Sequence, residues 1–293
     1  MSRAVRLIVN PMAGNGRAGR TLPAVERALI DLGISFRTER TTDLEHAAEL
    51  GREAAAAGEV AAAMGGDGLI GTVAGALHGT EGVLGVVPGG RGNDFARVLG
   101  IPSEPATACE VLLRGTEREV DLAEVGGKVF IGIATVGYDS DANRIANETR
   151  LLKGNLVYAY AGIRALGAWT PARFEVELDG EHREFTGYQV SAANSKAHGG
   201  GMYLAPDAEL DDGLLDVVLV EDMPKLRYIG LLPRVFKGTH VRNPQIHVQR
   251  AREVRIVADR PFVVYADGDP IAELPATVRA LPRALRVLVP SGR

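Results

Sequence analysis

The fold is decided by residues 60–97, which read VAAAMGGDGLIGTVAGALHGTEGVLGVVPGGRGNDFAR. Two apolar runs, at 60–66 and 83–90, each lead into a glycine turn, and each turn opens another segment with helical character. Short buried strands that alternate with helices are typical of parallel βαβ units. The stretch therefore predicts a three-layer α/β domain, in which helices cover both faces of a parallel sheet.

The residues before this stretch continue the alternation. VRLIVN (5–10) and SFRTER (35–40) predict strands, because they are short and rich in apolar or β-branched residues. TLPAVERALIDLG (21–33) and DLEHAAELGREAAAAG (43–58) predict amphipathic helices, and Asp43 is placed to cap the second of them. All of these segments fit one α/β domain.

The pattern changes to strands near residue 121. Hairpins are predicted around Gly126-Gly127 and Asp179-Gly180, since glycine and aspartate favour tight two-residue turns. A helical insert at about 141–168 interrupts the strands. With 293 residues, two domains are the default expectation. We predict an α/β domain over 1–121 and a mostly antiparallel β-sandwich over 122–293, with the last strand free to return to the first domain.

Composition narrows the class of protein. The chain is 46% hydrophobic and 24% charged, which is ordinary for a globular protein. Its net charge of −4 argues against a general nucleic-acid binder. No apolar run approaches the roughly 20 residues that span a bilayer, and the N-terminus has no signal-peptide pattern. We expect a cytoplasmic protein without a transmembrane segment, whose membrane contact is peripheral at the inner face.

Glycines concentrate where a nucleotide would bind. Residues 65–92 contain 11 glycines, clustered at the carboxyl ends of two predicted parallel strands. Ligands bind at those ends in open α/β sheets, and glycine lets backbone N–H groups approach a phosphate. The alternative is that these glycines only permit tight turns. Two such loops and an N-terminal NPMAG turn favour the phosphate interpretation.

Two familiar nucleotide motifs give different results. A P-loop requires GxxxxGK[S/T], and residues 1–121 hold 12 Arg and no Lys, so that class is excluded. The segment from Gly14 to Gly19 matches GxGxxG, the dinucleotide fingerprint. This single match is weak, because Asn10-Pro11 is unusual ahead of it and Glu39 is the only nearby acid placed to bind a ribose.

Asp67 and Asp94 follow the two glycine turns. An aspartate held between glycines at a strand end suits Mg²⁺ coordination through water, or contact with a nucleotide hydroxyl. The alternative is that both residues cap the helices that follow them. Asp94 is also placed to pair with Arg97, which would be a structural role.

In these motifs the sequence resembles the diacylglycerol kinase catalytic family, which includes bacterial lipid kinases and sphingosine kinases. The resemblance follows the family's order over nearly the whole chain. The matching segments are Asn10-Pro11 with Gly14, GGDG (65–68), PGGRGNDFAR (88–97), HGGGM (198–202), APDA (205–208), DGLLD (212–216) and ADGD (266–269).

The resemblance implies a phosphofructokinase- or NAD-kinase-like ATP-binding domain beside a β-sandwich, with ATP in the cleft between them. It implies Asp269 as the general base, with Asp67 and Asp94 organising Mg²⁺-ATP, and a structural Mg²⁺ at Asp212 and the backbone of Glu209 and Leu214. The implied nucleotide-binding residues are Asn10, Pro11, Gly14, Thr41, Gly65, Gly66, Asp67, Gly68, Gly90, Arg91 and Asn93.

Three positions depart from the family pattern. Leu69 replaces the usual threonine after GGDG, so a hydroxyl that could contact phosphate is missing. Arg91 replaces the threonine of GTxND and would instead supply positive charge to a phosphate. Asp269 replaces the more common glutamate, which keeps the carboxylate but shortens its reach by one methylene.

The expected function is phosphorylation of a lipid hydroxyl by ATP, with diacylglycerol as the acceptor and phosphatidic acid as the product. Three alternatives stay open: an NAD kinase, a kinase for a sphingoid base or ceramide, and a catalytically silent lipid- or nucleotide-binding regulator. The sequence also leaves a homodimer open.

Residues 225–242 (KLRYIGLLPRVFKGTHVR) carry five basic residues, no acids and several apolar side chains. This mixture fits an element that lies on an anionic membrane, where the lipid substrate would be found. A solvated helix with an apolar stripe facing the core explains it nearly as well.

Overall fold

The computed structural model describes residues 3–149 and 155–291. Its N-terminal part is an α/β domain, as predicted. Strands β4, β3, β1 and β2 lie side by side in that order and are all parallel. The elements are β1 (Val5–Val9), α1 (Ala13–Asp31), β2 (Phe36–Arg40), α2 (Leu44–Ala56), β3 (Val60–Gly65), α3 (Asp67–Leu77), β4 (Val83–Pro88), α4 (Asp94–Val98) and α5 (Pro105–Arg114).

Helices cover both faces of this sheet because its strands are apolar on both faces. Successive side chains of a strand point to opposite faces. Leu7 of β1 therefore packs in a core cluster with Leu22 of α1, whereas Ile8 packs in a separate cluster with Ala47 of α2 and Ile70 of α3. This is the three-layer arrangement that the sequence predicted.

Helix ends follow local chemistry. The carboxylate of Asp43 accepts a hydrogen bond of 2.8 Å from the backbone N–H of His46 and so caps α2, as predicted. Helix α1 begins earlier than the predicted residue 21. A first turn forms at Ala13, and the backbone then leaves the helical region over Gly14, Asn15 and Gly16, where φ is 60°, 59° and 78°.

The C-terminal part is rich in antiparallel strands. Strand β9 pairs antiparallel with β7, β8 and β10, and the predicted hairpins form between β5 and β6 and between β8 and β9. The elements are β5 (Thr116–Val125), β6 (Lys128–Phe130), β7 (Ile133–Gly137), α6 (Tyr138–Glu148), α7 (Asn155–Ala168), β8 (Ala172–Leu178), β9 (Glu181–Ala193), β10 (Leu215–Glu221), α8 (Lys225–Val235), a 3₁₀ helix (Thr239–Arg242), β11 (Ile246–Ala251), β12 (Glu253–Ala258), β13 (Val263–Ala266), β14 (Asp269–Glu273) and β15 (Ala276–Val289).

Strand β15 joins the two parts. Its first half pairs antiparallel with β12, and its second half pairs parallel with β4, where Arg286 lies opposite Val83. Along most of its length β15 also pairs with β5, with a register shift between Leu281 and Leu285. Hydrogen-bonded strands therefore run continuously from one part to the other, which fixes the C-terminal strands relative to the glycine turns.

The predicted helical insert forms α6 and α7; residues 150–154 of that segment lie outside the described residues. A buried group of rings attaches the helices to the sheet. Tyr138 lies 6.0 Å from Trp169 and 5.0 Å from Tyr228, and Tyr228 stacks on Tyr188 at 4.3 Å between ring centroids. In the described ranges, no helix combines the length and apolar character that a bilayer crossing requires.

Candidate active site

Three glycine turns of the N-terminal part pack backbone against backbone. A Cβ atom added at Gly90 would lie 2.4 Å from Cα of Gly66, and one added at Gly14 would lie 2.6 Å from the carbonyl oxygen of Gly89. Real Cβ atoms do not approach other atoms this closely, so the turns after β1, β3 and β4 can meet only where glycine is present. Their meeting point lies at the carboxyl ends of the strands.

A pocket of about 340 Å³ opens at this meeting point. Six of the predicted nucleotide-binding residues line it: Asn10, Gly14, Gly66, Gly68, Gly90 and Arg91. Met12, Ala13, Asn15, Leu44 and Leu69 also line it and were not predicted to bind nucleotide. The pocket therefore has a backbone-rich, polar side and a smaller apolar side.

Other predicted residues hold the turns in shape. The side chain of Asn93 accepts from the N–H of Gly90 at 2.9 Å and donates to the carbonyl oxygen of Gly90 at 3.1 Å. Thr41 donates to the carbonyl oxygen of Val9 from its N–H, at 2.8 Å, and from its hydroxyl, at 3.3 Å. These side chains therefore bind the protein's own backbone.

Pro11 and Gly65 also form hydrogen bonds with the protein's own backbone. The carbonyl oxygen of Pro11 accepts from the N–H of Gly19 at 3.1 Å, and the carbonyl oxygen of Gly65 accepts from the N–H of Gly89 at 2.8 Å. Neither residue lines the pocket; both hold the neighbouring turns in place through their backbone.

Arg91 supplies positive charge at the pocket. Its guanidinium donates a hydrogen bond to the side-chain oxygen of Asn15, which belongs to the turn after β1. Arg91 thus connects two turns across the pocket while remaining exposed. At the position of the family's threonine, this sequence places a cation that can reach an anionic ligand.

The carboxylates of Asp67 and Asp94 converge on Gly92. A Cβ atom at Gly92 would lie 3.0 Å from Oδ2 of Asp67 and 3.2 Å from Oδ2 of Asp94. Oδ1 of Asp67 accepts from the N–H of Phe95 at 3.2 Å, so this carboxylate contacts the first turn of α4. Burial, and to a smaller extent the nearby Asp94, raise the pKa of Asp67 above its ordinary value.

Asp94 has partners in both parts of the protein. It forms the predicted ion pair with Arg97, and its Oδ2 accepts from the N–H of Gly200 at 2.7 Å. Gly200 belongs to the loop after β9, so this contact brings the C-terminal part against the turn that follows β4.

Asp269 approaches the same place from the C-terminal part. Asp267 and Gly268 adopt left-handed backbone conformations, with φ of 53° and 95°, and this turn presents Asp269 toward α3. Oδ2 of Asp269 lies 3.9 Å from the position of a Cβ atom on Gly68, which lines the pocket. Asp269 as a whole is exposed, and partial desolvation of its carboxyl raises its pKa. Asp67 and Asp269 therefore share one crevice.

Asp267 is a site residue that the sequence reasoning missed. Its Oδ2 accepts from the N–H of Ile131 at 2.9 Å, and its Oδ1 accepts from the N–H of Ile133 at 3.3 Å. Burial, with a smaller effect of the nearby Asp67, raises its pKa to about 7. The available signal was the DGD motif itself, in which the first aspartate directly follows a buried strand.

The residues predicted to hold a structural Mg²⁺ lie close to Asp121, which is buried. Oδ1 of Asp212 accepts from the N–H of Leu214 at 3.0 Å, whereas its Oδ2 is buried without a hydrogen-bond partner in the described residues, 3.7 Å from a guanidinium nitrogen of Arg250. Glu209 is exposed, and the role predicted for it involves its backbone. A buried oxygen of this kind fits a cation ligand.

Within residues 3–149 and 155–291, however, no three His, Cys, Asp or Glu side chains are grouped to hold a metal by themselves. Asp121, which is fully buried, accepts from the N–H groups of Gly213 at 2.6 Å and Arg283 at 2.7 Å. Burial raises the pKa of Asp121, with a smaller effect of Asp212.

A chain of contacts links this region to the crevice. The side chain of Asn194, which is fully buried, donates to the carbonyl oxygens of Asp121 at 3.1 Å and Ile131 at 3.0 Å. Ile131 in turn donates to Asp267. The loop that carries Asp212 is thereby held in a fixed position relative to the turn that carries Asp269.

Comparison with known proteins agrees with this arrangement. Residues 4–125 match the profile of the diacylglycerol kinase catalytic domain, and residues 132–289 match that of the YegS C-terminal NAD kinase beta sandwich-like domain. Solved structures from Bacillus anthracis str. Sterne superimpose with TM-scores of 0.83 and 0.76, each at 21% identity; they cover 99% of this chain, which covers 96% and 97% of theirs. The second is described as a diacylglycerol kinase.

Relatives of known name are similar over nearly full length. A protein named diacylglycerol kinase from Mycobacterium tuberculosis is 32% identical over 98% of this chain and 95% of its own length. One of the same name from Bacillus subtilis is 30% identical over 100% and 98%. A Pseudomonas fluorescens protein named probable lipid kinase YegS-like is 33% identical over 88% and 87%. This chain therefore belongs to the diacylglycerol kinase catalytic family of lipid kinases.

Proposed function

We propose that the protein transfers the γ-phosphoryl group of ATP to the hydroxyl of diacylglycerol and so produces phosphatidic acid. Membership of a lipid kinase family supports the class of reaction, and the names of the relatives support the acceptor. The observation that carries the proposal is the position of the Asp269 carboxylate, which lies beside Gly68 at the glycine-lined pocket.

The glycine-lined side of the pocket suits a polyphosphate. Gly66, Gly68 and Gly90 leave room for phosphate oxygens to approach main-chain N–H groups. Helix α3 begins at Asp67, and the positive end of its dipole favours an anion at the same place. Arg91 adds the positive charge that a lysine supplies in a P-loop. Met12, Leu44 and Leu69 offer apolar contacts to the rest of the nucleotide.

Asp67 and Asp94 require a cation if a triphosphate binds here. Two carboxylates next to phosphate oxygens repel them, so the charges must be neutralised. Mg²⁺ prefers oxygen ligands and usually keeps several waters, which suits carboxylates held near the phosphates. We propose that Asp67 and Asp94 hold Mg²⁺-ATP through water, and that Asp212 with the backbone of Glu209 and Leu214 holds a second, structural Mg²⁺.

Asp269 is the proposed general base. In the transfer, the lipid hydroxyl oxygen forms a bond to the γ-phosphorus, and its proton passes to the Asp269 carboxylate. The bond between the γ-phosphorus and the oxygen that bridges to the β-phosphate breaks, which releases ADP. A base works best when its pKa lies near the working pH, and partial desolvation moves the pKa of Asp269 in that direction. Positioning and charge neutralisation do the rest of the work in phosphoryl transfer.

The acceptor is tested with a panel. The purified protein is incubated with Mg²⁺ and ATP labelled in the γ-phosphate, and with diacylglycerol, a sphingoid base, a ceramide or NAD. We expect label in phosphatidic acid. Label mainly in a sphingoid, ceramide or NAD product would refute the proposed acceptor, and no transfer to any of them would support a binding regulator instead.

The acceptor also determines where the protein works. Diacylglycerol resides in a bilayer, so a kinase without a spanning helix in its described residues must meet its substrate at a membrane surface. We propose peripheral contact with the inner face of the membrane, as the composition suggested.

A further inference from the structure

Helix α8 carries two separate rows of apolar side chains. Tyr228 and Leu231 are buried against the sheet. On another side of the helix, Leu226 is 85% exposed, Ile229 is 45% exposed and Phe236, directly after the helix, is 54% exposed. Residues that are three, four or seven positions apart lie on one face of a helix. Leu226 and Ile229 are three positions apart, and Ile229 and Phe236 are seven positions apart. The exposed residues therefore form a row that does not face the core.

The buried row already anchors the helix. The ring of Tyr228 stacks on Tyr188, and its hydroxyl donates to the side chain of Gln189 at 3.3 Å. The exposed row is thus not required to hold α8 on the sheet. Water contact of large apolar side chains is unfavourable, and an exposed apolar patch of this kind marks an interaction surface.

Basic residues surround the exposed row. Lys225, Arg227, Arg234 and Lys237 are all exposed, and residues 225–242 contain no acid. Arg227, Arg234 and Lys237 form no ion pair with any acid in the part of the chain that the structure describes. Lys225 donates to the carbonyl oxygen of Gly167 at 3.0 Å, which ties the start of α8 to the end of α7. The patch therefore combines apolar area with unneutralised positive charge.

The C-terminal end of α8 contacts a loop of the active site. The carbonyl oxygen of Val235 accepts from the N–H of Tyr203 at 3.0 Å. In the 3₁₀ helix that follows α8, Nε2 of His240 lies 3.1 Å from the carbonyl oxygen of Leu204. Both partners belong to residues 198–206, the loop whose Gly200 donates to Asp94. The patch is therefore joined to the crevice by a few residues of chain.

We propose that this face of α8, formed by Leu226, Ile229, Phe236, Lys225, Arg227, Arg234 and Lys237 and called here the α8 face, docks on an anionic phospholipid bilayer. The apolar row enters the boundary between headgroups and acyl chains, and the basic residues contact lipid phosphates. The mixture favours this partner over an apolar protein groove, which would leave Arg227, Arg234 and Lys237 without a partner. The inference rests on the proposed function in one respect, the presence of the acceptor in a bilayer.

Vesicle co-sedimentation tests the proposal. The full chain is mixed with vesicles of phosphatidylcholine alone and with vesicles that contain increasing fractions of phosphatidylglycerol. We expect binding that rises with the anionic fraction and weakens with salt, because the attraction to the surface is partly electrostatic. Binding that does not depend on the anionic fraction, or no binding at all, would overturn the proposal.

Variants assign the binding to the α8 face. In Leu226→Ser/Phe236→Ser and in Arg227→Glu/Arg234→Glu, the partition coefficient on anionic vesicles should fall by at least about ten-fold. The control is Ile30→Ser, which removes a side chain that is 60% exposed on α1, far along the chain from α8, and should bind as the wild type does. The replaced side chains are exposed, and thermal melting checks the fold of each variant. Wild-type binding by both double variants would refute the assignment.

This assay requires no catalysis, so its outcome is separate from that of the proposed function. A protein that binds anionic vesicles through the α8 face, but transfers phosphate to no lipid alcohol, would retain the docking surface and lose the proposed function. A protein that phosphorylates diacylglycerol, yet binds vesicles equally well after the α8 substitutions, would keep the function and lose the docking surface.

Discussion

The two sides of the crevice are built in different ways. The N-terminal side consists largely of backbone, because three glycine turns meet where no side chain would fit, as at Gly90 and Gly66. The C-terminal side presents carboxylates, Asp267 and Asp269, on one turn that is held by N–H groups of a distant loop. Substitutions on the first side should act through shape, and substitutions on the second side through charge and proton transfer.

The largest effect is expected at Asp269. In Asp269→Asn the shape is kept and the base is lost, so the rate of phosphoryl transfer should fall by about 10²- to 10⁴-fold. The affinity for ATP should change little, because the proposed role of this carboxylate is to contact the acceptor. Steady-state kinetics and calorimetric ATP binding measure the two quantities.

Glu273→Gln is the matched control, since it neutralises an exposed carboxylate in the same strand, β14. It should retain the wild-type rate. Near-normal transfer by a folded Asp269→Asn protein would show that Asp269 is not the base. It would also contradict the proposal that the C-terminal side of the crevice acts through proton transfer.

A substitution on the backbone side should act through shape. In Gly90→Ala the new methyl group would meet Cα of Gly66 at 2.4 Å, so the two turns must separate. We expect ATP affinity to fall at least about ten-fold, with a loss of about 1–3 kcal/mol in the free energy of unfolding. Calorimetry and denaturant unfolding test these effects.

Gly167→Ala in α7 is the control, because no atom lies within 4 Å of the added methyl group. It should bind ATP normally and gain about 0.5–1 kcal/mol in stability from the glycine it removes from the helix. Unchanged ATP affinity in a folded Gly90→Ala protein would show that the pocket does not hold the nucleotide.

Arg91 should have a smaller effect. Arg91→Thr restores the residue that is usual in the family and removes one charge at the pocket. We expect KM for ATP to rise by about three- to ten-fold, which corresponds to one hydrogen bond of ordinary net strength, because Arg91 is exposed and solvent weakens its charge. Arg52→Ala, an exposed arginine of α2, is the control and should leave KM unchanged. Equal KM values in all three proteins would exclude Arg91 from phosphate binding.

Asp267 should make the stability of the protein depend on pH. The pKa of its carboxyl is about 7 in the folded protein, against an ordinary value of 3.8. Between these values the folded protein keeps a proton that the unfolded chain releases, so this group lowers stability as pH rises from about 4 to about 7. Each unit of pKa shift corresponds to about 1.4 kcal/mol.

Asp267→Asn removes this dependence. The difference in Tm, variant minus wild type, should therefore be more positive at about pH 8 than at about pH 5. Replacing the hydrogen-bonded oxygen has a cost that does not depend on pH, so it does not affect this change. Melting curves of both proteins at the two pH values measure this difference. A Tm difference that does not change with pH would contradict the raised pKa.

The same contrast explains what the sequence could predict. Glycine turns, buried strands and hairpin turns are local patterns, so the α/β domain and the hairpin at Asp179-Gly180 were predicted correctly. The glycine turns do line a pocket, whereas nucleotide binding there stays a prediction. The early start of α1 was missed, because the left-handed residues at 14–16 interrupt the helical pattern.

Contacts between residues that are far apart in sequence could not be read in this way. Asp94 and Gly200 are 106 positions apart, and Asp267 and Ile131 are 136 positions apart. The burial of Asp267 depends on how β13 and the loop before β7 meet, and no local pattern encodes that meeting. The family resemblance supplied Asp269, whereas the role of Asp267 in holding the turn emerged from three-dimensional contacts.

The central claim is that the nucleotide lies where the backbone side and the carboxylate side meet. A crystal structure with Mg²⁺ and a non-hydrolysable ATP analogue tests it most directly. The account predicts the triphosphate along the turns at Gly66 and Gly90, with its terminal phosphate facing Asp269. A nucleotide bound elsewhere, or bound with its terminal phosphate pointing away from Asp269, would contradict it.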